Sequence, residues 1–209
     1  EITLQPNEHK TVDFTIGAAD TRESAIEIIN RFKDANTVSQ AGENTAQFWR
    51  ELTRRLQVKT PDAPLNMMGN SWLAYQAISG RLFGRSAYFQ TGGAFGFRDQ
   101  LQDSLTWLLL GLPEKTLNQI KLHAAHQYQD GVVLHWWQPM VETGHRSEYS
   151  DDLLWLPFVL MRYLWETGDY GALDLDVPFY DGGSASLREH CMRAFNVALS
   201  RRSARGLPL

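Results

Sequence analysis

The sequence predicts an all-α protein over most of its length, preceded by a single β-strand. From Asp20 onward the apolar residues recur at positions i, i+3, i+4 and i+7, which is the period of an amphipathic helix. Before that point Val12, Phe14 and Ile16 alternate with polar residues, which is the period of a half-buried strand. The chain is therefore expected to place one strand ahead of a long run of helices.

The loops between the predicted helices differ greatly in length. The connection at residues 111–113 is very short, whereas the loops at 91–97, 129–149 and 169–183 are long and rich in Gly, Trp, His and Asp. Helical hairpins with tight turns at one end and long loops at the other indicate a helical toroid or solenoid. Because binding residues concentrate on loops, we expect the function at the long-loop end.

The strand at residues 11–17 is closed by Gly17 and needs a partner, since one strand does not fold alone. No other stretch predicts a strand, so this one belongs to a sheet outside the sequence or has lost its sheet.

Each helix is predicted from its apolar face and its end signals. The first begins at a cap, Asp20 or Thr21, and ends near Asn36; the second stops before Thr60 and Pro61. The others are expected from Pro64 towards Phe89, from Arg98 to Gly111, from Pro113 to about Tyr128, from a cap at Ser150 to Gly168, and after a cap at Ser184 or Ser186.

Composition excludes several classes of protein. The 20 Lys and Arg residues against 24 Asp and Glu give a net charge of −4, so no basic excess marks a nucleic-acid partner. The most apolar stretch, 153–164, contains Pro157 and Arg162 and is too short for a membrane segment. Cys191 is the one cysteine, which favours a reducing compartment, and residues 1–4 do not resemble a secretory signal. These features predict a cytoplasmic protein.

The densest candidate site is the glycine-rich segment 85–103. Arg85 and Arg98 flank the glycines, and such arginines bind phosphate or carboxylate in bidentate geometry. Asp99, Gln102 and Asp103 carry donors and acceptors that suit vicinal sugar hydroxyls. The alternative is that Arg98 and Asp99 only brace the helix start.

Two further segments have competing interpretations. In residues 135–137, His-Trp-Trp, at least one tryptophan is expected to line a cavity or pack under the loop, with His135 bonded to backbone as the alternative to a sugar site. Asp151 and Asp152 are interpreted as a helix cap rather than as an acid/base pair, because carboxylates favour the positive end of a helix.

The remaining candidates are two histidines and one cysteine. His123 and His126 lie three residues apart without a third ligand, so no metal site is predicted. Cys191 beside His190 is interpreted as a core residue, with a paired nucleophile as the alternative.

Taken together, these motifs resemble glycoside hydrolase family 94. The family contains inverting phosphorylases of cellobiose, chitobiose, cellobionic acid and longer β-glucans, and the phosphorylase-like domain of cyclic β-1,2-glucan synthases. The segments that carry the resemblance follow the family's order: GGAFGFRDQLQD at 92–103, HWW at 135–137, SDDLLWLP at 150–157, TGD at 167–169, EHC at 189–191 and GLP at 206–208.

The resemblance implies a domain organisation. Family members begin with a large β-sandwich, followed by a helical linker and an (α/α)6 barrel. Residues 1–17 would be the last strand of the sandwich, residues 18–60 the helical linker, and residues 61–209 the first half of the catalytic barrel.

The resemblance also implies a reaction, in which inorganic phosphate attacks the anomeric carbon while one carboxylic acid protonates the leaving oxygen. By motif match Arg98 and Asp103 would bind the hydroxyls of the sugar whose bond is broken, and Arg85 would bind phosphate. The implied partners are a β-glucoside disaccharide or oligosaccharide, phosphate as co-substrate without any other cofactor, and a second copy of the parent in a homodimer.

One family motif is missing from the sequence. The general acid of the family is the aspartate of a Gly-Asp-Trp-Asn-Asp segment that follows the Gly-Leu-Pro motif, and we expect it after Leu209. The chain alone is therefore expected to be inactive, as a fragment of a phosphorylase. The alternatives are a piece of a cyclic β-1,2-glucan synthase or an inactive sugar-binding truncation product.

Overall fold

The computed structural model describes residues 2–12, 14–84, 92–139 and 141–207. These divide into a first unit that extends to Glu51 and a second that begins at Leu52. The first unit contains helix α1, Arg22–Arg31, and most of helix α2, Ala35–Thr53. Thr21 caps α1, because its side-chain oxygen accepts a hydrogen bond from the backbone N–H of Ser24 at 3.1 Å.

The strand predicted at residues 11–17 has no partner within the described residues. Residues 11, 12 and 14–17 are not paired with another strand, and Phe14 and Ile16 are almost fully exposed. An alternating segment buries its apolar face only when a sheet is present to receive it. The origin of this segment in a β-sandwich stays a prediction.

The second unit is mostly helical, as predicted. Residues 63–83 are helical throughout, with α3 at Ala63–Met67 and α4 at Leu73–Gln76 joined by π-helical turns at Met68–Trp72 and Ala77–Phe83. The later helices are α5 at Phe97–Leu109, α6 at Pro113–Ala124, α7 at Trp155–Thr167 and α8 at Leu187–Ser200, with short 3-10 turns at Asp152–Leu154 and Tyr170–Asp174.

The helix ends follow local rules. Pro113 occupies the first turn of α6, where its missing N–H is not needed. Gly168 ends α7 in the left-handed conformation, with φ of 68°. Of the two predicted caps for α8 the structure uses Ser186, whose side chain accepts a hydrogen bond from the backbone N–H of Glu189 at 3.3 Å.

The expectation that no further strands exist is wrong. Strands β1, Phe95–Gly96, β2, Leu134–Gln138, and β3, Thr143–Arg146, form an antiparallel sheet in that order. Strands β4, Asp176–Pro178, and β5, Ser184–Ser186, form a separate antiparallel pair. These strands are two to five residues long, too short for an alternating pattern to show in the sequence.

The core of the second unit joins the sheet to the helices. Trp137 of β2, Phe97 and Leu101 of α5, and Ile120 of α6 are all fully buried in one apolar cluster. Residues from α7 and α8 complete it: Leu156, Val159, Leu160, Leu187, Cys191 and Ala194. The sheet is thus held directly against the start of α5.

Several apolar side chains remain exposed on the helices of the second unit. Leu109 and Trp165 are mostly exposed, as expected for helix faces without a covering layer. Trp107, in contrast, is buried. Its helix, α5, packs against both α6 and α7.

Burial of His123 predicts an acid-sensitive fold. Desolvation lowers the pKa of His123 from 6.5 to about 3, so the folded state holds a neutral ring whereas the unfolded chain binds a proton. Between these values the unfolded state carries more protons, and the stability contributed by His123 is lost as the pH falls. We expect the free energy of unfolding to drop by up to about 1.4 kcal/mol per pH unit below roughly pH 6.5.

Urea denaturation between about pH 7 and 5 checks this prediction. In the variant His123→Gln the free energy of unfolding should fall less steeply with decreasing pH. In His145→Gln, at an exposed position of β3, it should fall as in the parent. His190, whose pKa burial also lowers, adds to the slope in all three proteins. Equal slopes for the parent and His123→Gln would contradict the prediction.

Candidate active site

The candidate site is built around the junction between β1 and α5. Gly96 ends β1, Phe97 starts α5 and is fully buried, and Arg98 follows in the first turn. Strand β1 pairs with β2, so that Gly96 lies opposite Trp136. The buried Phe97 and the sheet therefore determine where the first turn of α5 presents its polar residues.

Asp99 and Asp103 lie four residues apart on α5 and share one cation. The Nε of Arg81 donates to Asp103 at 2.8 Å, and a terminal nitrogen of the same guanidinium donates to Asp99 at 3.2 Å. Like charges at this helical spacing repel each other, and Arg81 offsets that repulsion. Burial raises the pKa of Asp103, and the hydrogen bond from Arg81 acts in the opposite direction.

Arg81 was missed by the sequence analysis, which considered only residues 85–103 in this region. The available signal was the pair of carboxylates at positions i and i+4, whose mutual repulsion a cation from another element can offset. Nothing local to Arg81 indicates its role, because its partners lie 18 and 22 residues further along the chain.

Arg98 is bound to a different carboxylate. A terminal nitrogen of its guanidinium donates to Asp151 at 3.0 Å, and the guanidinium carbon lies 5.5 Å from the centre of the Trp155 ring. Arg98 and Asp103 are five residues apart on one helix, which turns them roughly 140° from each other about the helix axis. The structure thus places both on α5 but gives them different partners.

The third predicted site residue, Arg85, lies outside the described residues, as do its neighbours up to residue 91. Its role in binding phosphate stays a prediction.

Asp151 and Asp152 lie at the start of the 3-10 turn, as predicted, but neither side chain forms a capping hydrogen bond. Neither side chain accepts a hydrogen bond from the backbone at the start of the 3-10 turn or of α7. Instead Asp151 binds Arg98, while the buried Asp152 accepts hydrogen bonds from the Nδ1 of His135 at 2.7 Å and from the hydroxyl of Ser147 at 2.5 Å. Both carboxylates are therefore bound by side chains from distant elements, Arg98 of α5 and His135 of β2.

The two adjacent tryptophans have opposite environments. Trp137 is 0% exposed and packs under the sheet, as predicted for at least one of the pair, whereas Trp136 is 41% exposed. Both lie on strand β2 rather than in a loop. The alternative that His135 is bonded to backbone is wrong, because its partner is the Asp152 carboxylate.

A shallow hollow opens beside Arg98. It is lined by Asp151, Leu154, Trp155 and Phe158, and the surface that it exposes is apolar. An aromatic wall of this kind can pack against the apolar face of a sugar ring.

A family model matches most of the chain. Residues 48–209 match the glycosyl hydrolase 94 superfamily, catalytic domain. The chain belongs to this family. The resemblance inferred from the motifs is thereby confirmed.

Curated relatives of this family 94 chain include enzymes of two kinds. The chain is 36% identical over its whole length to the cyclic beta-(1,2)-glucan synthase NdvB of Rhizobium meliloti, and covers 8% of that protein. It is 32% identical to the solabiose phosphorylase of Paenibacillus borealis, with 92% of the chain covering 24% of the relative. It is 28% identical to the N,N'-diacetylchitobiose phosphorylase of Vibrio proteolyticus, with 95% of the chain covering 28% of the relative. The chain therefore spans less than a third of each of these relatives.

The cysteine of the family 94 chain is a core residue, as predicted. Cys191 is buried, and desolvation raises the pKa of its thiol to about 12. The neighbouring His190 does not activate it, because the ring nitrogens of His190 face the side-chain oxygen of Gln127 at 2.7 Å and the carbonyl of Val177 at 3.0 Å. A Cys-His nucleophile is not formed.

We predict that Cys191 resists alkylation in the native protein. Raising the thiol pKa from 9.0 to about 12 lowers the reactive thiolate fraction roughly a thousandfold near neutral pH, and burial excludes the reagent as well. Mass spectrometry after iodoacetamide treatment should show an unlabelled native chain and a fully labelled chain in urea. Since the sequence has a single cysteine, no other thiol contributes. Equal labelling in both states would contradict the prediction.

His123 of α6 and His126, two residues beyond its end, have partners within the protein. His123 donates through Nδ1 to the carbonyl of Gln119, and His126 contacts the carbonyl of Leu122 and the carboxylate of Glu142. Across the described parts of the chain, no three His, Cys, Asp or Glu side chains are grouped as metal ligands would be. Over the same residues, no helix combines the length and the apolar character that crossing a bilayer requires.

Proposed function

We propose that the full-length gene product carrying this chain catalyses inverting phosphorolysis of a β-linked glucosyl disaccharide or oligosaccharide. The product would be a sugar 1-phosphate. Membership of family 94 and the two phosphorylase relatives support this reaction class. Inorganic phosphate is the proposed co-substrate, with no other cofactor.

The paired carboxylates of α5 carry the proposal. The side chain of Asp103 is 20% exposed and accepts a hydrogen bond from Arg81, so it is an oriented acceptor on α5. A charged acceptor forms stronger hydrogen bonds to hydroxyls than a neutral one. We propose that Asp103 and Arg98 bind hydroxyls of the donor sugar, and that Arg85 binds phosphate.

The proposed chemistry needs one carboxylic acid. Phosphate attacks the anomeric carbon from the face opposite the leaving sugar, the glycosidic bond breaks, and the acid transfers its proton to the leaving oxygen. Because phosphate is already anionic, no base is needed to activate it. We propose that the acid is an aspartate that follows Leu209 in the full-length protein, as the family motif implies.

A phosphorolysis assay of the full-length gene product tests this proposal. Incubation with β-linked glucosyl disaccharides should release a sugar 1-phosphate that depends on added phosphate. Release of free sugar without phosphate would contradict phosphorolysis. Disaccharide binding without any turnover would instead favour the sugar-binding alternative.

A second candidate function is the phosphorylase-like part of a cyclic β-1,2-glucan synthase. The relative with that name is 36% identical over the whole chain, compared with 32% and 28% for the two phosphorylases above. The two functions are separated by supplying linear β-1,2-glucan to the gene product. Conversion of this substrate to rings would favour the synthase, whereas its phosphate-dependent shortening, or action on disaccharides alone, would favour the phosphorylase.

We further propose that the parent is a cytoplasmic homodimer. The single buried cysteine is compatible with a reducing compartment, and the dimer follows from the family resemblance. Light scattering on the purified full-length product and fractionation of cells test these two points separately.

A further inference from the structure

His135 sits where strand β2 departs from regular pairing. Leu134 lies opposite Arg146, and Trp136 lies opposite His145. Between these two pairs β2 advances by two residues while β3 advances by one, which is a β-bulge. The residue in between, His135, has no partner in the register. Such bulges redirect a side chain and are frequent beside active sites.

A buried carboxylate holds the redirected ring. Asp152 is 2% exposed, and one of its oxygens accepts hydrogen bonds from both His135 Nδ1 and the Ser147 hydroxyl. A buried carboxylate is stable only when hydrogen bonds compensate its lost hydration. Because Nδ1 must donate its proton to Asp152, the neutral ring carries a lone pair on Nε2.

The opposite edge of the ring is available to a ligand. The side chain of His135 is 38% exposed, and Nε2 has no hydrogen-bond partner among the described residues. The ring lies 4.7 Å from that of the exposed Tyr149. A histidine ring that is held through one nitrogen can accept a hydrogen bond from a ligand hydroxyl through the other.

His135 also lies on the Arg98 side of the molecule. Trp136 pairs with Gly96, which precedes Arg98 by two residues. Asp151 binds Arg98, while the adjacent Asp152 binds His135. Two neighbouring carboxylates thus hold one group from α5 and one from β2.

We infer that His135 is a further sugar-binding residue, which accepts a hydrogen bond from a hydroxyl of the donor hexosyl group through Nε2. Asp152 and Ser147 are positioning residues that fix the ring. This inference rests on the proposed function, because it assigns the hydroxyl to the sugar that Arg98 and Asp103 bind.

Substitution in the full-length gene product tests the inference. The probe is α-glucose 1-phosphate, used as donor in the synthetic direction with a sugar acceptor. His135→Gln should lower kcat/KM roughly ten- to a hundredfold, as expected for a lost hydrogen bond in the site. The matched control His145→Gln, on the neighbouring strand, should stay within about twofold of the parent.

Deoxy donors separate a sugar contact from a structural brace. The parent and His135→Gln are compared with the 2-, 3-, 4- and 6-deoxy analogues of glucose 1-phosphate. If His135 binds one hydroxyl, the analogue lacking that hydroxyl should be used equally well by both proteins, while the others retain the difference. A uniform loss with every analogue, or no loss at all, would overturn the inference.

The outcomes also distinguish this inference from the proposed function. An active parent that is indifferent to His135→Gln overturns the inference alone. An inactive parent that binds glucose 1-phosphate, with the same hydroxyl dependence in its dissociation constants, overturns the proposed function alone. A parent that neither reacts with nor binds glucose 1-phosphate overturns both.

A second variant covers the case in which His135→Gln does not fold. Ser147→Ala removes one donor from Asp152 and leaves the ring in place, so it should lower kcat/KM severalfold with the same dependence on a single hydroxyl. Thermal melting of each variant verifies its folding. Wild-type kinetics in a folded Ser147→Ala variant would count against the positioning role of the network.

Discussion

Asp103→Asn should lower the phosphorolysis rate of the full-length gene product about a hundredfold or more. Asp103 is the less exposed member of the carboxylate pair on α5, and its oxygen is oriented by Arg81 at 2.8 Å. The amide keeps the size of the side chain but removes the charge, which weakens its hydrogen bonds to sugar hydroxyls. The effect should appear in kcat/KM measured under saturating phosphate.

Asp99→Asn is the matched control for this prediction. The side chain of Asp99 is 62% exposed and bonds to the same guanidinium at 3.2 Å, so its substitution makes a similar change to the charge of the pair. We expect it to reduce kcat/KM less than about threefold, because an exposed ion pair contributes little. Both variants should have melting temperatures close to that of the parent protein. Parental turnover in Asp103→Asn would remove this residue from the site.

Trp137→Ala should destabilise the fold by about 3–5 kcal/mol. The indole is fully buried, stacks on His126 at 3.9 Å between ring centres, and packs edge-on against Phe95 and His123. Its removal leaves a cavity at the point where the sheet meets α5 and α6. The melting midpoint, followed by far-ultraviolet circular dichroism, should fall by roughly 6–20 °C.

Trp136→Ala provides the control from the adjacent position. Its side chain is 41% exposed, so the same change removes far less buried surface. We expect a loss of less than about 1 kcal/mol. Equal destabilisation by the two substitutions would contradict the assignment of Trp137, rather than Trp136, to the core.

Helices could be predicted from the sequence because their signals are local. The apolar period, Pro113 at the start of α6 and Gly168 at the end of α7 each act within a few residues of the position they determine. Thr21 and Ser186 were each one of two candidate caps, and the structure selected between neighbours. Membership of family 94 was also readable, since its motifs are contiguous segments.

The strands could not be predicted because their partners are distant. Gly96 and Trp136 pair across 40 residues, and β1 has only two residues, so neither shows a period of its own. The bulge at His135 interrupts the alternation of β2 and hides the strand further. Pairing with another segment, rather than intrinsic pattern, makes these residues extended.

The charge network at the start of α5 could be predicted only in part. Arg98 and Asp103 were identified by type and motif, but Arg81, which neutralises Asp99 and Asp103, was not. Asp151 and Asp152 were interpreted from their position at a helix start, where the dipole favours carboxylates. Their contacts with Arg98 and His135 join distant segments, and they were visible only in three dimensions.

The sequence by itself determined the helical class, most helix ends and the family, since these depend on neighbouring residues and contiguous motifs. The tertiary structure alone decided which charges meet: Arg81 with Asp103, Arg98 with Asp151, and His135 with Asp152. The physical reason is that a partly buried charge must find a partner, and the partner is chosen by the packing of distant elements. The possible functions of Asp103 and His135 follow from those partners.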